Sequence, residues 1–487
     1  MIKLKILCFC QPPKIWDRGR SFNAYKAFFI QICLSNFWLV ICEDGKSPII
    51  RIMFLITIFR GNSCVTVTGL SLFLVWMVLT NNGELDKVYL REYLCMGQVT
   101  VVLVILTVWV FLIIIVIIEK VNFLTFYKKN MFFLFFTVNL TFIAVKLSLF
   151  FVMFEITLVP ILILILGWSK QPERVKAGLY IFFYTLFGSF PLLYFIFWFL
   201  GESMFSLVFF FEFKKLRITD SYFWYLIGTG GFYIKLPVYF FHIWLPKAHV
   251  EAPVRGSIIL AGILLKMGGY GLYLFTFFFC SFLESYNFIL MSFVIAGGVY
   301  CGFFCFRQTD IKLLVAYSSV VHISLVAGGY LVIDLWGSGG SLILMVGHGL
   351  CSSGLFFLLN ILYEVRNTRS MLLNKGVSFY FSFLGLWWFF FCAANISVPT
   401  SLNFAGEVLL FFRLRRWDII ILVLLFCLNF LSRVYGVYLF SYIQFGKSLR
   451  GFGRVSVLRV LNLFACFIHF YPLFFFFIMF DFFVVGL

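Results

Sequence analysis

Charged residues are scarce in this sequence: Asp, Glu, Lys and Arg make up 12% of its 487 residues. Soluble domains of ordinary composition carry about 25%. Hydrophobic residues account for 63% of the chain, 71 residues are Phe, and the mean hydropathy is +1.04. Because so much apolar surface cannot be left in water, the composition excludes a soluble globular protein and indicates a membrane protein.

The sequence also lacks the motifs that mark cofactor and catalytic sites. Its 13 cysteines form no C-x-x-C pair, which excludes the usual spacing of iron-sulfur and structural zinc ligands. No H-E-x-x-H, G-x-S-x-G or G-x-G-x-x-G motif occurs in a fitting context. We therefore predict that this chain itself holds no redox cofactor and no metal.

Acidic residues are outnumbered by basic ones, 20 against 38, which gives a formal net charge of +18. In a soluble protein this excess would suggest a nucleic-acid partner. Here the basic residues collect in loops between apolar runs, where they can meet lipid headgroups. We therefore predict membrane lipids as partners and no nucleic acid. Basic clusters at 170–176 and 214–217 flank one apolar run on opposite sides, so the sequence alone does not fix the orientation.

Long apolar runs follow one another almost from end to end, and a membrane helix needs about 20 such residues. The runs are continuous rather than alternating, which favours helices over a barrel. The sequence predicts an all-α integral membrane protein with about fourteen transmembrane helices, after a basic tail at 1–24, in a single polytopic domain at 25–487. The predicted spans are 25–42, 49–79 (one or two), 97–118, 131–146, 148–168, 177–200, 222–245, 256–280, 286–306, 311–333, 339–363, 378–412, 418–442 and 459–486.

Two of the predicted spans contain residues that interrupt a helix. The first carries Gly228, Gly230 and Gly231 before Pro237, and the second carries Pro399 within the segment 397–400. Proline removes a backbone donor, and the freed groups are tolerated in a membrane only where protein or cavity water satisfies them. The pair predicts two discontinuous helices, which are typical of a transport site.

Four ionisable residues lie inside apolar runs: Glu155, Lys235, Lys266 and Glu407. Each costs several kcal/mol at the bilayer centre unless it is paired or hydrated. A structural salt bridge or a snorkelling side chain is the alternative explanation. Two acids and two bases on four spans can pair between helices, and a lysine that changes its carboxylate partner can take up and release a proton.

Four of the five histidines lie in the middle of the chain: His242, His249, His322 and His348. An ordinary imidazole titrates near neutral pH, which suits proton exchange. A metal site or a hydrogen-bonded core position is the alternative for any single one of them. We assign His469, near the carboxyl end, to the core.

Five motifs follow one another in the middle of the chain. They are KLPVYFFHIWLPKAHVEAP at 235–253, LLKMGGYG at 264–271, DIKLLVAYSSVVH at 310–322, HGLCSSG at 348–354 and NISVPTSLNFAGE at 395–407. Together they resemble the antiporter-like subunits of proton-pumping NADH:ubiquinone oxidoreductase, respiratory complex I. The resemblance covers about residues 154–410.

The resemblance implies an antiporter-like fold and a role for each matched residue. Glu155 is similar to the carboxylate that pairs with the lysine of the first broken helix, Lys235. Lys266 is similar to the central relay lysine, and Glu407 to the terminal acid on the second broken helix. His322 and His348 are expected along a hydrated axis between them.

As a family member, the chain is expected to translocate protons without redox chemistry, next to other membrane-arm subunits that include antiporter-like chains. NADH, FMN, iron-sulfur clusters and ubiquinone are then expected elsewhere in the complex. The high Phe content is similar to that of mitochondrially encoded chains, which implies the mitochondrial inner membrane, with a bacterial plasma membrane as the alternative. A cation/proton antiporter subunit and a purely structural membrane subunit are the alternative functions.

Overall fold

The computed structural model describes residues 88–91, 94–117, 122–169, 171–202, 222–416, 418–446 and 460–478. All of them belong to one compact unit, Gly61–Leu487. The predicted basic tail and the predicted spans at 25–42 and 49–79 lie outside the described residues.

The described chain begins with two short strands, β1 (Val88–Arg91) and β2 (Leu94–Met96), and continues as helices. The helices up to the first break are α1 (Gln98–Ile117), α2 (Leu124–Ile143), α3 (Leu147–Ile156), α4 (Leu158–Trp168), α5 (Arg174–Glu202) and α6 (Tyr222–Lys235). They continue as α7 (Trp244–Glu251), α8 (Val254–Ile259), α9 (Leu265–Thr276), α10 (Cys280–Cys305), α11 (Ile311–Leu331) and α12 (Leu335–Arg366). The last five are α13 (Val377–Tyr380), α14 (Ser382–Asn395), α15 (Leu402–Leu414), α16 (Ile419–Gln444) and α17 (Val460–Ile478).

The predicted class, an all-α membrane protein, is confirmed. Within the described ranges, nine helical segments are long and apolar enough to cross a membrane. The total of about fourteen stays a prediction, since the early spans are not described. The short antiparallel pairing of β1 with β2, in which Val88 lies opposite Met96, is a local exception to the all-α class.

The first predicted break lies between α6 and α7. The helix continues through all three glycines and ends at Lys235, two residues before Pro237. Gly231 serves packing instead, because a Cβ there would lie 2.8 Å from the carbonyl oxygen of Gly188 on α5. The chain turns at Phe240, whose φ of 74° is unusual for a bulky residue.

The second predicted break lies between α14 and α15 and surrounds Pro399. Two residues there have a positive φ, Ser397 at 63° and Thr400 at 82°. Strained backbone of this kind persists only where its surroundings hold it. Ser401 caps α15, because its hydroxyl accepts a hydrogen bond from the backbone N–H of Phe404.

Two further irregularities lie beside predicted site residues. The span 147–168 is interrupted at Thr157, between α3 and α4, three residues before Pro160, which has no N–H to donate. Between α8 and α9, Leu260–Leu264 form a π-helical turn directly before the turn that carries Lys266. Such turns are frequent at functional sites.

The second halves of the two broken helices run toward opposite membrane surfaces. The two ends of α11 identify the two surfaces. At its start, the N–H of Ile311 donates to the carbonyl of Arg369; at its end, Asp334 follows the last turn. Glu251 at the end of α7 lies 3.9 Å from Arg369, whereas Arg413 near the end of α15 pairs with Asp334. We call these two faces the Arg369 surface and the Asp334 surface.

Candidate functional site

Glu155 and Lys235 form an ion pair between α3 and α6, with 3.6 Å between Oε1 and Nζ. The lysine side chain is 5% exposed and the carboxylate side chain 19%. Lys235 Nζ also donates to the carbonyl of Phe154 at 2.7 Å and lies 2.9 Å from the centre of the Phe154 ring. Because Lys235 is the last residue of α6, the negative end of the helix dipole adds to the stabilisation of its charge.

The interruption at Thr157 supplies part of this arrangement. The Thr157 hydroxyl donates to the same Phe154 carbonyl at 2.8 Å. The Phe154 carbonyl oxygen therefore accepts two hydrogen bonds, one from Lys235 and one from Thr157, directly beside the paired carboxylate of Glu155. A continuous helix would direct this oxygen along its own axis to the next turn.

Lys266 lies at the centre of the described helices and is buried. Its Nζ donates to the carbonyl of Ala261 in the π-helical turn at 2.6 Å and lies 3.3 Å from Nδ1 of His348. The backbone of α12 approaches closely, since a Cβ on Gly349 would lie 3.1 Å from both the Gly262 carbonyl oxygen and Cε of Lys266. Gly349 thus leaves the room that Lys266 needs.

His322 continues the row from His348 toward the second broken helix. The ring centroids of the two histidines are 5.5 Å apart. Nδ1 of His322 lies 3.3 Å from Oε1 of Glu407, and Nε2 lies 3.5 Å from the hydroxyl of Tyr435 on α16. His322 and Glu407 are close enough to form an ion pair, but Nδ1 of His322 is not aligned with the carboxylate for a hydrogen bond. Both side chains of this pair are at most 5% exposed.

A small cavity joins these groups to the first break. Lys266, His322 and His348 line it together with Leu236, the residue after Lys235. Its volume is about 10 Å³, close to the lower limit for one water molecule. A Cβ on Gly268 would meet the backbone nitrogen of Leu236 at 3.0 Å, so this glycine allows the break to approach α9.

Each break is bridged by a side-chain donor. Trp244 at the start of α7 donates from Nε1 to the carbonyl of Ile234 at 2.9 Å. Asn403 at the start of α15 donates from Nδ2 to the carbonyl of Ala394, also at 2.9 Å. The first bond satisfies a carbonyl at the end of the interrupted helix, and the second adds to the bond that the Ala394 carbonyl accepts from the Ser397 N–H. Both fix the two half-helices to each other.

The structure therefore brings together all six predicted site residues, as the Glu155–Lys235 pair and the row Lys266–His348–His322–Glu407. Their roles remain predictions. The other histidines lie outside this row. The His242 ring stacks on Tyr239, that of His249 stacks on Phe356, and His469 is buried with Nδ1 2.8 Å from the Ala465 carbonyl oxygen.

Sequence reasoning missed two contributors, Tyr435 and Thr157. Neither is charged, and Tyr435 lies on a helix outside the recognised motifs, so only the fold brings its hydroxyl to His322. The proline three residues after Thr157 was a usable signal for the interruption of that helix.

Acids, amines and imidazoles at separations of 3.3–3.6 Å can exchange protons and charge with one another. In the part of the chain that the structure describes, no group of three His, Cys, Asp or Glu residues is placed to bind a metal ion. Two discontinuous helices and a buried row of ionisable groups define an antiporter-like membrane protein.

The comparison with known proteins agrees with this class. The family described as NADH:quinone oxidoreductase/Mrp antiporter, transmembrane, matches residues 144–432, which is more than half of the chain. The chain therefore belongs to this family, and the resemblance expected from its motifs is confirmed.

Two curated relatives that share one name are similar to this chain. NADH-ubiquinone oxidoreductase chain 4 of Ceratitis capitata is 45% identical over 318 residues, 65% of this chain and 70% of the relative. The chain of the same name from Locusta migratoria is 43% identical over 320 residues, 65% of this chain and 71% of the relative.

A solved structure shows the same fold. A chain of respiratory complex I from Thermus thermophilus with bound NADH superposes with a TM-score of 0.78 at 19% identity, covering 87% of this chain and 92% of the other. The predicted antiporter-like fold is confirmed by this likeness.

Proposed function

We propose that the chain is a proton-translocating membrane subunit of NADH:ubiquinone oxidoreductase, a homologue of subunit 4. The observation that carries the proposal is a set of close pairs of ionisable groups inside the protein: Glu155 with Lys235, Lys266 with His348, the neighbouring rings of His348 and His322, and His322 with Glu407. The similarity to complex I chains supports the coupling to quinone reduction.

The work of this chain is electrostatic. Quinone reduction elsewhere in the complex alters the Glu155–Lys235 interaction, and the changed field at Lys266 favours release of its proton toward His348. The proton then passes by His322 to Glu407. Moving one charge across 100 mV takes about 2.3 kcal/mol, and this work comes from quinone reduction elsewhere in the complex.

The two surfaces defined above suggest an orientation. Basic residues of the described chain are more numerous at the Arg369 surface than at the Asp334 surface, and the positive-inside rule assigns the more basic surface to the side of insertion. In a mitochondrial inner membrane that side is the matrix. We assign basic residues near helix ends to a surface by the order of the helices. The Arg369 surface then carries Lys128, Lys129, Arg174, Lys176, Lys247, Arg255, Arg307, Arg366, Arg369 and Lys375, and the Asp334 surface carries Lys146, Arg413, Arg415 and Arg416.

The remaining expectations belong to the same proposal. The chain is a multi-pass protein of the mitochondrial inner membrane, because its similar relatives are animal complex I chains. Its partners are other membrane-arm subunits, including neighbouring antiporter-like chains, together with lipids. NADH, FMN, iron-sulfur clusters and ubiquinone are bound by other subunits, and this chain holds no cofactor.

The test combines isolation with one substitution. In mild detergent, we expect the chain to co-purify with a very large assembly that oxidises NADH and reduces quinone. Recovery with only small membrane partners and with sodium-dependent exchange would favour a cation/proton antiporter.

Glu155→Gln in that assembly removes the charge and keeps the shape. It should reduce both proton pumping and quinone reduction, with assembly largely intact. The matched control is Glu173→Gln, which removes an exposed carboxylate 3.7 Å from Lys176. If Glu155→Gln altered stability alone and left pumping normal, a purely structural role would replace the proposal.

A further inference from the structure

A second buried lysine lies near the Arg369 surface, outside the row described above. Lys312 is in the first turn of α11 and is 8% exposed. Its Nζ makes no hydrogen bond with any residue that the structure describes, and those residues do not enclose it. An ammonium group in mainly apolar surroundings is stabilised by hydrogen bonding, so the space next to Nζ suits a small polar ligand.

A small cavity of about 10 Å³ opens beside Lys312. Its polar lining consists of Lys312, Tyr363, Thr368, Arg369 and Asn374, and its apolar lining of leucines and Ile311. This is close to the space that one water molecule needs, and too small for a lipid headgroup or a phosphate.

Two oxygen atoms on the lining residues are buried and have no partner among the described residues: Oγ1 of Thr368 and Oδ1 of Asn374. The Asn374 orientation is fixed, because Nδ2 donates to the carbonyls of Thr368 and Ser370 at 3.1 and 2.9 Å. Reversing the amide would turn its oxygen toward two carbonyl oxygens, so Oδ1 is an acceptor in need of a donor.

A single water molecule has the acceptor and the two donors that these groups require. It would accept a hydrogen bond from Lys312 Nζ and donate to Asn374 Oδ1 and Thr368 Oγ1, the number of bonds that buried waters typically make. The geometry points to a water-binding site here, and we propose that Lys312 and this water form the proton-exchange port of the chain at the Arg369 surface. This inference rests on the proposed function.

His249 lies on α7, which packs against α11, the helix that carries both Lys312 and His322. It is fully buried, and both of its ring nitrogens are without a hydrogen bond in the described chain. Its ring stacks at 4.6 Å on Phe356, which lies on the same helix as His348. An imidazole with two open nitrogens can accept a proton on one side and release it on the other.

The port closes at the surface with an ion pair. Glu251, two residues beyond His249, lies 3.9 Å from Arg369, which also donates to the carbonyl of Val250 at 3.1 Å. The charges of this pair, Glu251 and Arg369, are also the ones that act on Lys312. The end of α7 is thus fixed to the loop that carries Thr368 and Asn374.

The test uses the intact complex reconstituted in vesicles, with NADH-driven proton pumping as the measurement. Lys312→Arg keeps the positive charge but cannot release its proton near neutral pH. We expect pumping to fall at least about tenfold, because proton transfer by a positioned group contributes factors of this size or larger. If Lys312 serves only as a fixed cation beside Glu251, the arginine variant pumps normally and the proposal is overturned.

Two further variants separate water from charge. Thr368→Val is nearly isosteric and removes one partner of the water, so pumping should fall by about fivefold, the equivalent of one hydrogen bond of about 1 kcal/mol. Lys375→Met is the matched control, since this cation on the same loop lies over the ring of Tyr442, outside the cavity, and pumping should be unchanged. Equal losses in Thr368→Val and Lys375→Met would overturn the water site.

A high-resolution map of the same complex provides a readout independent of activity. It should show density within hydrogen-bond distance of Lys312 Nζ and Asn374 Oδ1, and direct contact between these two atoms without water would contradict the site.

Comparison with Glu155→Gln separates failure of the port from failure of the proposed function. If Glu155→Gln stops pumping and Lys312→Arg does not, the port fails while the proposed function stands; if neither changes pumping, the proposed function itself fails.

Discussion

The two helix breaks use the same scaffold for opposite charges. In both, a side chain at the start of the second half-helix donates to a carbonyl at the end of the first: Trp244 to Ile234 and Asn403 to Ala394. The first break carries a cation, Lys235, on its last helical residue. The second carries an anion, Glu407, one and a half turns into α15.

The ionisable pairs at the two breaks differ in how deeply they are buried. The partner of Lys235, the carboxylate of Glu155, is 19% exposed, whereas Glu407 and His322 are 5% and 1% exposed. The first pair is therefore the one that a neighbouring chain or a change in hydration can reach. The second depends on the groups packed around it. This contrast is consistent with the proposed mechanism, in which quinone reduction alters the more accessible Glu155–Lys235 pair and the buried His322–Glu407 pair receives the proton.

The largest effect is expected at the first break. Lys235→Met keeps the length of the side chain but leaves Glu155 without its cation, so NADH-driven pumping should fall by about two orders of magnitude. Pumping in vesicles is the measurement. Lys247→Met is the control, because Lys247 is exposed and lies 3.7 Å above the Tyr180 ring; a similar loss in both variants would show that the effect is unspecific.

The scaffold of the second break is tested by Gly347→Ala. A Cβ at this position would overlap Oδ1 of Asn403 and displace the residue that bridges the break. Overpacking of this kind costs about 1–3 kcal/mol, so the temperature of thermal inactivation of the complex should fall. Gly230→Ala meets no atom within 4 Å and should leave that temperature unchanged or raise it slightly, and the reverse order would contradict this packing.

A smaller effect is expected from Tyr435→Phe. The variant keeps the buried ring and removes the hydroxyl that lies 3.5 Å from Nε2 of His322, a bond of about 1 kcal/mol or less. Pumping should decrease by up to about fivefold. Tyr270→Phe removes a hydroxyl that donates to the Phe142 carbonyl and should lower stability without a comparable loss of pumping; equal losses of pumping in both variants would contradict a specific role for Tyr435.

The smallest effect is expected from Thr157→Val, beside the first pair. The change removes one of the two donors to the Phe154 carbonyl and leaves Lys235 as the other. Pumping should change by about twofold or less, since a side-chain hydrogen bond is worth about 0.5–1.5 kcal/mol. A loss as large as that of Lys235→Met would mean that the hydroxyl, rather than the ion pair, holds the site.

The sequence alone was sufficient to predict the buried ionisable residues and the positions of the two helix breaks. An isolated Glu155 or Lys266 in an apolar run is visible without a fold, because only pairing or hydration makes it tolerable. Pro237 and Pro399 likewise located both breaks to within a few residues. The glycines at 228–231 were misread as part of the first break, because the same residue type that loosens a helix also permits close packing against Gly188.

Other features depend on distance in space, which apolar patterning does not encode. The contact of Tyr435 with His322 joins residues 113 positions apart, and the cavity beside Lys312 is formed by two helices and a loop. The direction of the half-helices also required the structure, since it is set by the Glu251–Arg369 and Arg413–Asp334 pairs. With those surfaces defined, the basic residues suggest an orientation that sequence counting alone left open.

The most direct test of the account is the number of protons moved per NADH oxidised by the complex that carries Glu407→Gln. The substitution keeps size and hydrogen-bonding capacity but removes the charge 3.3 Å from His322. Glu364→Gln, which alters a carboxylate bound by Asn360 on the exposed end of α12, is the control. We expect a lower ratio for Glu407→Gln alone. A ratio equal to that of the unmodified complex would show that protons do not leave the row through Glu407.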